Sequence, residues 1–203
     1  MVVPKLVYIS QPTEKGTIYS KQELTQIYET CKKLDLYLYI DGARLGAALT
    51  SKYADIKPQD LSHLCDAFYI GGTKNGSPLG EALCIINDKL KPNFRKFIKQ
   101  HGALLAKGYL VASCFKTLFT DDLFFKLAAH ANEMAQKIAD ALGTSTQSNL
   151  VFANLPNSTI DKLKQHFDFF VIEPVDDNNS TVRFVTSWAT QQDAVENLVS
   201  RLF

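Results

Sequence analysis

The sequence predicts an α/β fold followed by a smaller α+β unit, on three observations. Short β-rich apolar runs stop at glycine, aspartate or proline, amphipathic helical stretches separate them, and after Gly143 the elements become shorter and change order. The third is composition: 203 residues, 46% hydrophobic and 21% charged, are enough for a packed core and exclude a disordered or collagen-like chain.

Leu6-Val7-Tyr8-Ile9, bounded by Pro4 and Pro12, reads as a buried strand. Ser20 with Glu23 three residues later is a capping-box pair, and Leu24, Ile27, Tyr28, Cys31 and Leu34 recur at helical spacing, which predicts a helix over 21–34. Leu36 to Ile40 is apolar throughout, as expected of a parallel strand covered on both faces, and it stops at Asp41-Gly42. Ala67 to Ile70 repeats that pattern and runs into Gly71-Gly72-Thr73-Lys74-Asn75-Gly76, and Ala82 to Ile86 forms a further strand after a Gly/Pro turn. Helical spacing then takes over: Phe94, Phe97 and Ile98, a stretch from Leu104 to Phe119, and a long segment from Leu123 to Leu142 that ends at Gly143. Residues 1–143 therefore read as one unit and 144–203 as a small α+β unit. The latter is predicted to hold a strand near 150–153, a helix capped at Ser158, strands near 169–173 and 181–186, and a terminal helix with Thr190 as N-cap. Asp176 to Ser180 reads as a turn; the spacing and closing glutamate of a calcium loop are absent.

Lys+Arg 22 against Asp+Glu 21 gives a net charge of +1, so no global field draws the chain to nucleic acid or an anionic membrane. No apolar run approaches the roughly 18 to 20 residues a bilayer requires, and residues 1–5 do not begin a signal peptide; a cytoplasmic protein is the expectation. Cys31, Cys65, Cys84 and Cys114 match no zinc or redox spacing, which predicts reduced, mostly buried thiols and no metal.

Ligands of open α/β sheets bind at the carboxyl ends of the strands. Asp41 follows one predicted strand, Arg44 lies three residues on, and Lys74 sits in the glycine-flanked loop after the next. The separation of 33 positions between Asp41 and Lys74 allows one crossover that returns the chain in parallel and brings both strand ends to one edge. A carboxylate, a guanidinium and a lysine at one edge suit an aldehyde cofactor with a ring nitrogen and a phosphate. The flanking glycines are expected to let the backbone approach such a cofactor closely.

Asp41-Gly42-Ala43-Arg44-Leu45 followed by Gly72-Thr73-Lys74-Asn75-Gly76 resembles the low-specificity threonine aldolases, within the aromatic amino acid β-eliminating lyase group of pyridoxal-phosphate enzymes. The resemblance extends through Ser10 to Thr17, Lys99 to Gly108 and Val182 to Trp188, so it covers essentially the whole chain. It implies an aspartate aminotransferase-like large domain, in part, over 1–143 and the small C-terminal domain over 144–203. It implies pyridoxal 5'-phosphate as cofactor, held as an aldimine by Lys74, with Asp41 partnering the ring nitrogen. Arg44 and Arg183 match arginines that engage the substrate carboxylate, and Lys107 falls in a segment that carries basic residues near the cofactor phosphate. The implied activity is cleavage of threonine or allo-threonine to glycine and acetaldehyde, in a homodimer or homotetramer acting on a small amino acid.

The sequence departs from that pattern at its front. Family members carry a Gly-rich phosphate loop and an aromatic ring stacked on the pyridine upstream of these motifs, and neither has a counterpart here: the first histidine, His63, lies between Asp41 and Lys74. Strands without their partners are expected to leave exposed edges that favour association. Two other readings stay open: a truncated, catalytically silent chain that at most associates with a partner, and a related pyridoxal-phosphate enzyme performing β-elimination.

Overall fold

The computed structural model describes residues 2–202 and contains two sheets, each backed by its own apolar core. The first has the order β1 (Leu6–Ser10), β2 (Tyr37–Asp41), β3 (Ala67–Gly71), β4 (Glu81–Ile85). The first three run parallel, with Tyr8 opposite Tyr39 and Ile40 opposite Phe68, and β4 turns back antiparallel on β3. The second sheet is antiparallel in the order β5 (Leu150–Pro156), β7 (Asn179–Val185), β6 (Phe170–Pro174).

Helix α1 (Lys21–Lys33) starts as its sequence dictates: Ser20 Oγ accepts the Glu23 N–H at 3.2 Å, and Glu23 returns an acceptor to the Ser20 N–H at 2.8 Å. Leu24 and Cys31 on this helix bury against Leu38, Ile40 and Phe68. The opposite face of the sheet, with Tyr8, Tyr39 and Tyr69, has no such cover, and Tyr8 is 55% exposed. Cover on both faces of β2 is therefore not found among the described residues; its burial alternates, Leu38 and Ile40 inside and Tyr37 and Tyr39 half-buried.

Asp66, fully buried, joins the layers together. Its carboxylate accepts Lys32 Nζ at 2.6 and 2.7 Å, the Leu38 N–H at 2.8 Å and Asn87 Nδ2 at 2.6 Å, so both oxygens have their full complement of donors. One side chain thereby connects α1, β2, β3 and the segment after β4.

α3 (Phe94–Gln100), α4 (Tyr109–Leu118) and α5 (Leu123–Ala141) follow. The helix expected from Leu104 begins only at Tyr109. Gly102 takes a φ of +71° and closes α3, with the Ala103 N–H on Ile98 O and its own N–H on Lys99 O, and the chain turns before α4 can start. Gly143, at φ +63°, ends α5 by the same pair of bonds, from Gly143 to Asp140 and Thr144 to Ala139, where the sequence predicted the stop. The N-terminal half of α5 packs Phe124 and Ala128 on Gly46 of α2 (Leu45–Leu49), and its C-terminal half supplies Met134 and Ile138 to the second core.

α6 (Asn157–Lys164) and α7 (Gln192–Ser200) cover the inner face of the second sheet, against Val151, Val182 and Phe184. Both expected caps are corrected. Ser158 lies inside α6, which starts after Pro156 with no side-chain cap, and Thr190 Oγ1 instead accepts the Ser187 N–H at 2.8 Å while Gln191 precedes α7. Asp176 closes the β6–β7 turn by accepting the N–H groups of Asn178 and Asn179. All four cysteines are free thiols, and burial pushes Cys65 up to about 12.

Burial alone pushes the Asp66 carboxyl upward, but the bonds from Asn87, Lys32 and the Leu38 N–H outweigh it and hold the group below the ordinary aspartate value. Its stabilising contribution is thus complete above about pH 4 and is lost as pH falls through the lower folded-state value. Asp66→Ala is expected to cost at least about 2 kcal/mol at pH 7, less than a fully buried pair because Lys32 still reaches water. Urea denaturation at pH 7 and in acid checks this: the gap to wild type should narrow as pH falls.

Candidate active site

The carboxyl ends of β2 and β3 are in direct backbone contact. The Gly71 N–H donates to Gly42 O at 2.8 Å, and so does the Leu45 N–H at 3.0 Å. A Cβ on Gly42 would stand 1.8 Å from Tyr69 O and one on Gly71 would stand 2.2 Å from Ala43 O, so a side chain at either position would force the loops apart. Of the glycines that flank Lys74, Gly71 admits the Ala43 backbone and Gly72 similarly faces Gly80 O. This contact sets the Asp41–Arg44 turn beside the Lys74 loop.

Asp41 is the last residue of β2. Its Oδ1 accepts the Ala43 N–H at 2.8 Å and the Tyr69 hydroxyl at 2.5 Å, and its Oδ2 accepts the Tyr8 hydroxyl. Burial pushes the carboxyl upward, but the tyrosine and backbone bonds together with the Lys74 charge pull it below the ordinary value. In turn the carboxylate raises the Tyr8 phenol to about 12, and burial together with the carboxylate raises Tyr69 as well. Asp41 is therefore an anion at neutral pH, and Oδ2 retains room for one more donor.

Arg44, Lys74, Asn75 and Asn149 line one narrow cleft of about 10 Å³, closed from behind by Ala128 and Ala131 of α5. Two of the resemblance-derived residues, Arg44 and Lys74, thus share a cavity, and Asp41 lies within electrostatic reach. The Lys74 loop is pinned on both sides: Glu81 accepts the Gly72 N–H at 2.6 Å and the Thr73 hydroxyl at 3.0 Å, and Asn75 Nδ2 donates to Phe124 O at 2.8 Å. No carboxylate among the described residues forms an ion pair with Arg44, Lys74, Lys107 or Arg183.

Arg183 and Lys107 do not line this cleft. Arg183 stands on the outer face of the second sheet, its guanidinium 4.5 Å from the Phe170 ring centre and its Nε buried without a partner among the described residues. Lys107 is exposed between α3 and α4. Sequence reasoning missed Tyr8, Tyr69, Glu81 and Asn149. A signal for the tyrosines was present: Tyr8, Tyr39 and Tyr69 each lie two positions before the last residue of their strand, so one face of the parallel sheet carries all three, with ring centres 5.5 and 6.3 Å apart.

Two substitutions test this geometry. Tyr69→Phe removes one donor from the anion, so the Asp41 carboxyl pKa should rise, as read by carbon NMR titration; an unchanged value contradicts the assigned bond. Gly71→Ala should cost about 1–3 kcal/mol in urea denaturation, because the added methyl meets the Ala43 carbonyl, whereas a neutral effect would contradict the contact.

Residues 2–164 match the Beta-eliminating lyase family. The low specificity L-threonine aldolase of Pseudomonas aeruginosa is 34% identical over 208 residues, a match that covers 96% of this chain and 58% of that protein. A solved threonine aldolase structure from Leishmania major superposes with a TM-score of 0.96 at 47% identity, covering all of this chain and 61% of the other. The chain thus spans under two thirds of the length of these relatives. Cystalysin from Treponema denticola, whose structure contains pyridoxal 5'-phosphate, shares the fold at 16% identity and a TM-score of 0.65. With the family match spanning most of its length and the motifs meeting at one sheet edge, this chain belongs to the Beta-eliminating lyase family.

Proposed function

We propose that the chain carries the lysine, aspartate and arginine side of a pyridoxal-phosphate site that cleaves threonine or allo-threonine to glycine and acetaldehyde. The observation that carries the reading is the convergence of an ionised Asp41 with Lys74 and Arg44, two cations without ion-pair partners among the described residues, at the carboxyl edge of a parallel sheet.

The residues fit that cofactor on its ring side. Asp41 Oδ2 has an open acceptor position for a ring N–H, and the carboxylate is held in the charged form such a partner requires. Lys74 supplies the primary amine. When bound, pyridoxal phosphate supplies an aldehyde for amines and a protonated ring that withdraws electrons from the amino acid's α-carbon. The remaining work falls to the chain. Asp41 would hold a proton on the ring nitrogen, and the amine of Lys74 would hold the cofactor and, when free, could carry a proton. The Arg44 guanidinium binds the substrate carboxylate through two parallel bonds, which fixes the orientation of the bond to be broken. Arg183 as a second carboxylate ligand and Lys107 as a phosphate ligand rest on the resemblance alone. So does the division into a large domain to 143 and a small one from 144.

β-Elimination is the second reading, supported by the family description itself. We also propose self-association, for which the exposed Leu6 and Tyr8 of edge strand β1 provide apolar surface. Incubation with pyridoxal phosphate and each threonine diastereomer, with acetaldehyde read by coupled reduction, tests the main reading. Acetaldehyde that disappears in Lys74→Ala is the expected outcome. Pyruvate from serine without acetaldehyde from threonine would favour β-elimination, and no product from either would leave the chain a silent partial enzyme.

A further inference from the structure

Glu81 opens β4 opposite Gly71, and the mechanism above makes no use of it. Its side chain is exposed, so nothing obliges its carboxylate to find partners inside the protein. Both oxygens are nevertheless committed: Oε2 accepts the Gly72 N–H at 2.6 Å and Oε1 accepts the Thr73 hydroxyl at 3.0 Å. These are the two residues that precede Lys74. Gly72 is the pivot of the loop, because its carbonyl also accepts the N–H groups of Asn75 at 2.9 Å and Ser77 at 3.0 Å. Its place is constrained from the other side by Gly80 O, which a Cβ on Gly72 would approach to 2.6 Å.

A carboxylate bonded to the residue beside a lysine can take that lysine as an ion-pair partner, and the amine is then engaged. Among the described residues Glu81 forms no ion pair with Lys74 or with any other cation. Hydrogen bonds to a carboxylate are roughly twice as strong as neutral ones, so one exposed side chain can fix the loop. Lys74 is within electrostatic reach of Asp41, whose carboxyl its charge helps to hold down. How near to Asp41 the Lys74 amine stands therefore depends on the clamp on Gly72 and Thr73.

We infer that Glu81 is a positioning residue for Lys74: by holding the Gly72 N–H and the Thr73 hydroxyl it sets the Lys74 amine beside Asp41 without pairing with that amine. The chemical consequence rests on the reading of Lys74 as the cofactor lysine. β4 then becomes part of the site although it contributes no reacting group. Its first residue fixes the separation between the amine and the carboxylate that partners the ring nitrogen.

The test reads the Asp41 carboxyl by carbon NMR titration at low salt, without cofactor. Lys74→Ala removes the nearby cation, so the Asp41 pKa should rise, and that rise sets the scale. Glu81→Gln and Glu81→Ala remove the same negative charge, but glutamine can still accept the Gly72 N–H through its oxygen and donate to the Thr73 hydroxyl through its nitrogen. Asp41 should titrate higher in Glu81→Ala than in Glu81→Gln, by about half of the Lys74→Ala rise or more, and the difference should vanish once Lys74 is also alanine. Equal values in the two variants overturn the inference, and so does a Lys74→Ala protein in which Asp41 does not move. Mere support of the fold predicts a lower urea midpoint in Glu81→Ala with no such difference. Thr73→Val keeps every charge and decides the matter should Glu81→Ala not fold: Asp41 should rise, and an unmoved Asp41 overturns the clamp. In a second arm, imines formed with pyridoxal phosphate are trapped by borohydride. Label at Lys74 relative to exposed Lys52 should fall about tenfold in Glu81→Ala and recover in Glu81→Gln. No label at Lys74 in the unaltered protein would defeat the cofactor reading, while the Asp41 titration still decides the role of Glu81.

Discussion

The backbone contact between Gly42 and Gly71 is the constraint on which the site depends. Two parallel strands normally deliver their following loops some distance apart, because adjacent strands are separated by about 4.8 Å and side chains at the strand ends keep the loops from closing. Here neither loop carries a side chain at the crossing point, and a 2.8 Å hydrogen bond draws them together. Asp41, Arg44 and Lys74 are neighbours because that crossing is empty. Glu81 and Asn75 then hold the Lys74 loop from either side.

Two aspartates in the same sheet show how hydrogen bonding divides structural from chemical roles. Asp66 accepts four hydrogen bonds on its two oxygens, two of them from Lys32, and nothing further can bind it. Asp41 is also held as an anion, but largely by neutral hydroxyls and one backbone N–H, with a lone pair left on Oδ2. Saturation fixes a fold, whereas an ionised group with one vacancy is available to a ligand. The tyrosines that surround Asp41 sit on the uncovered face of the sheet, so the same face that lacks a packing layer supplies the donors.

Much of this arrangement was legible in the sequence, for identifiable reasons. Strand ends at Asp41 and Gly71, the capping box at Ser20 and Glu23 and the stop at Gly143 are local signals, and each is realised by local bonds. The parallel return between Asp41 and Lys74 followed from the length of the connection. What escaped depends on contacts between distant segments. Asn149 reads as an ordinary polar residue before a strand until Thr186, 37 positions away, fixes its amide. Thr190 has the chemistry of a cap but spends its hydroxyl on Ser187, and the turn after Gly102 delays α4 despite an apolar pattern that continues through it.

The proposed role of Lys74 rests on the sequence resemblance and on its place at the sheet edge, in a chain that spans 58% of its Pseudomonas relative. The most direct test is borohydride reduction of the protein mixed with pyridoxal phosphate, followed by mass mapping of the labelled peptide. A single label on the peptide that contains Lys74, lost in Lys74→Ala, is the predicted result. Label spread over exposed lysines such as Lys15, Lys52 and Lys107, and unchanged in that variant, would contradict the account.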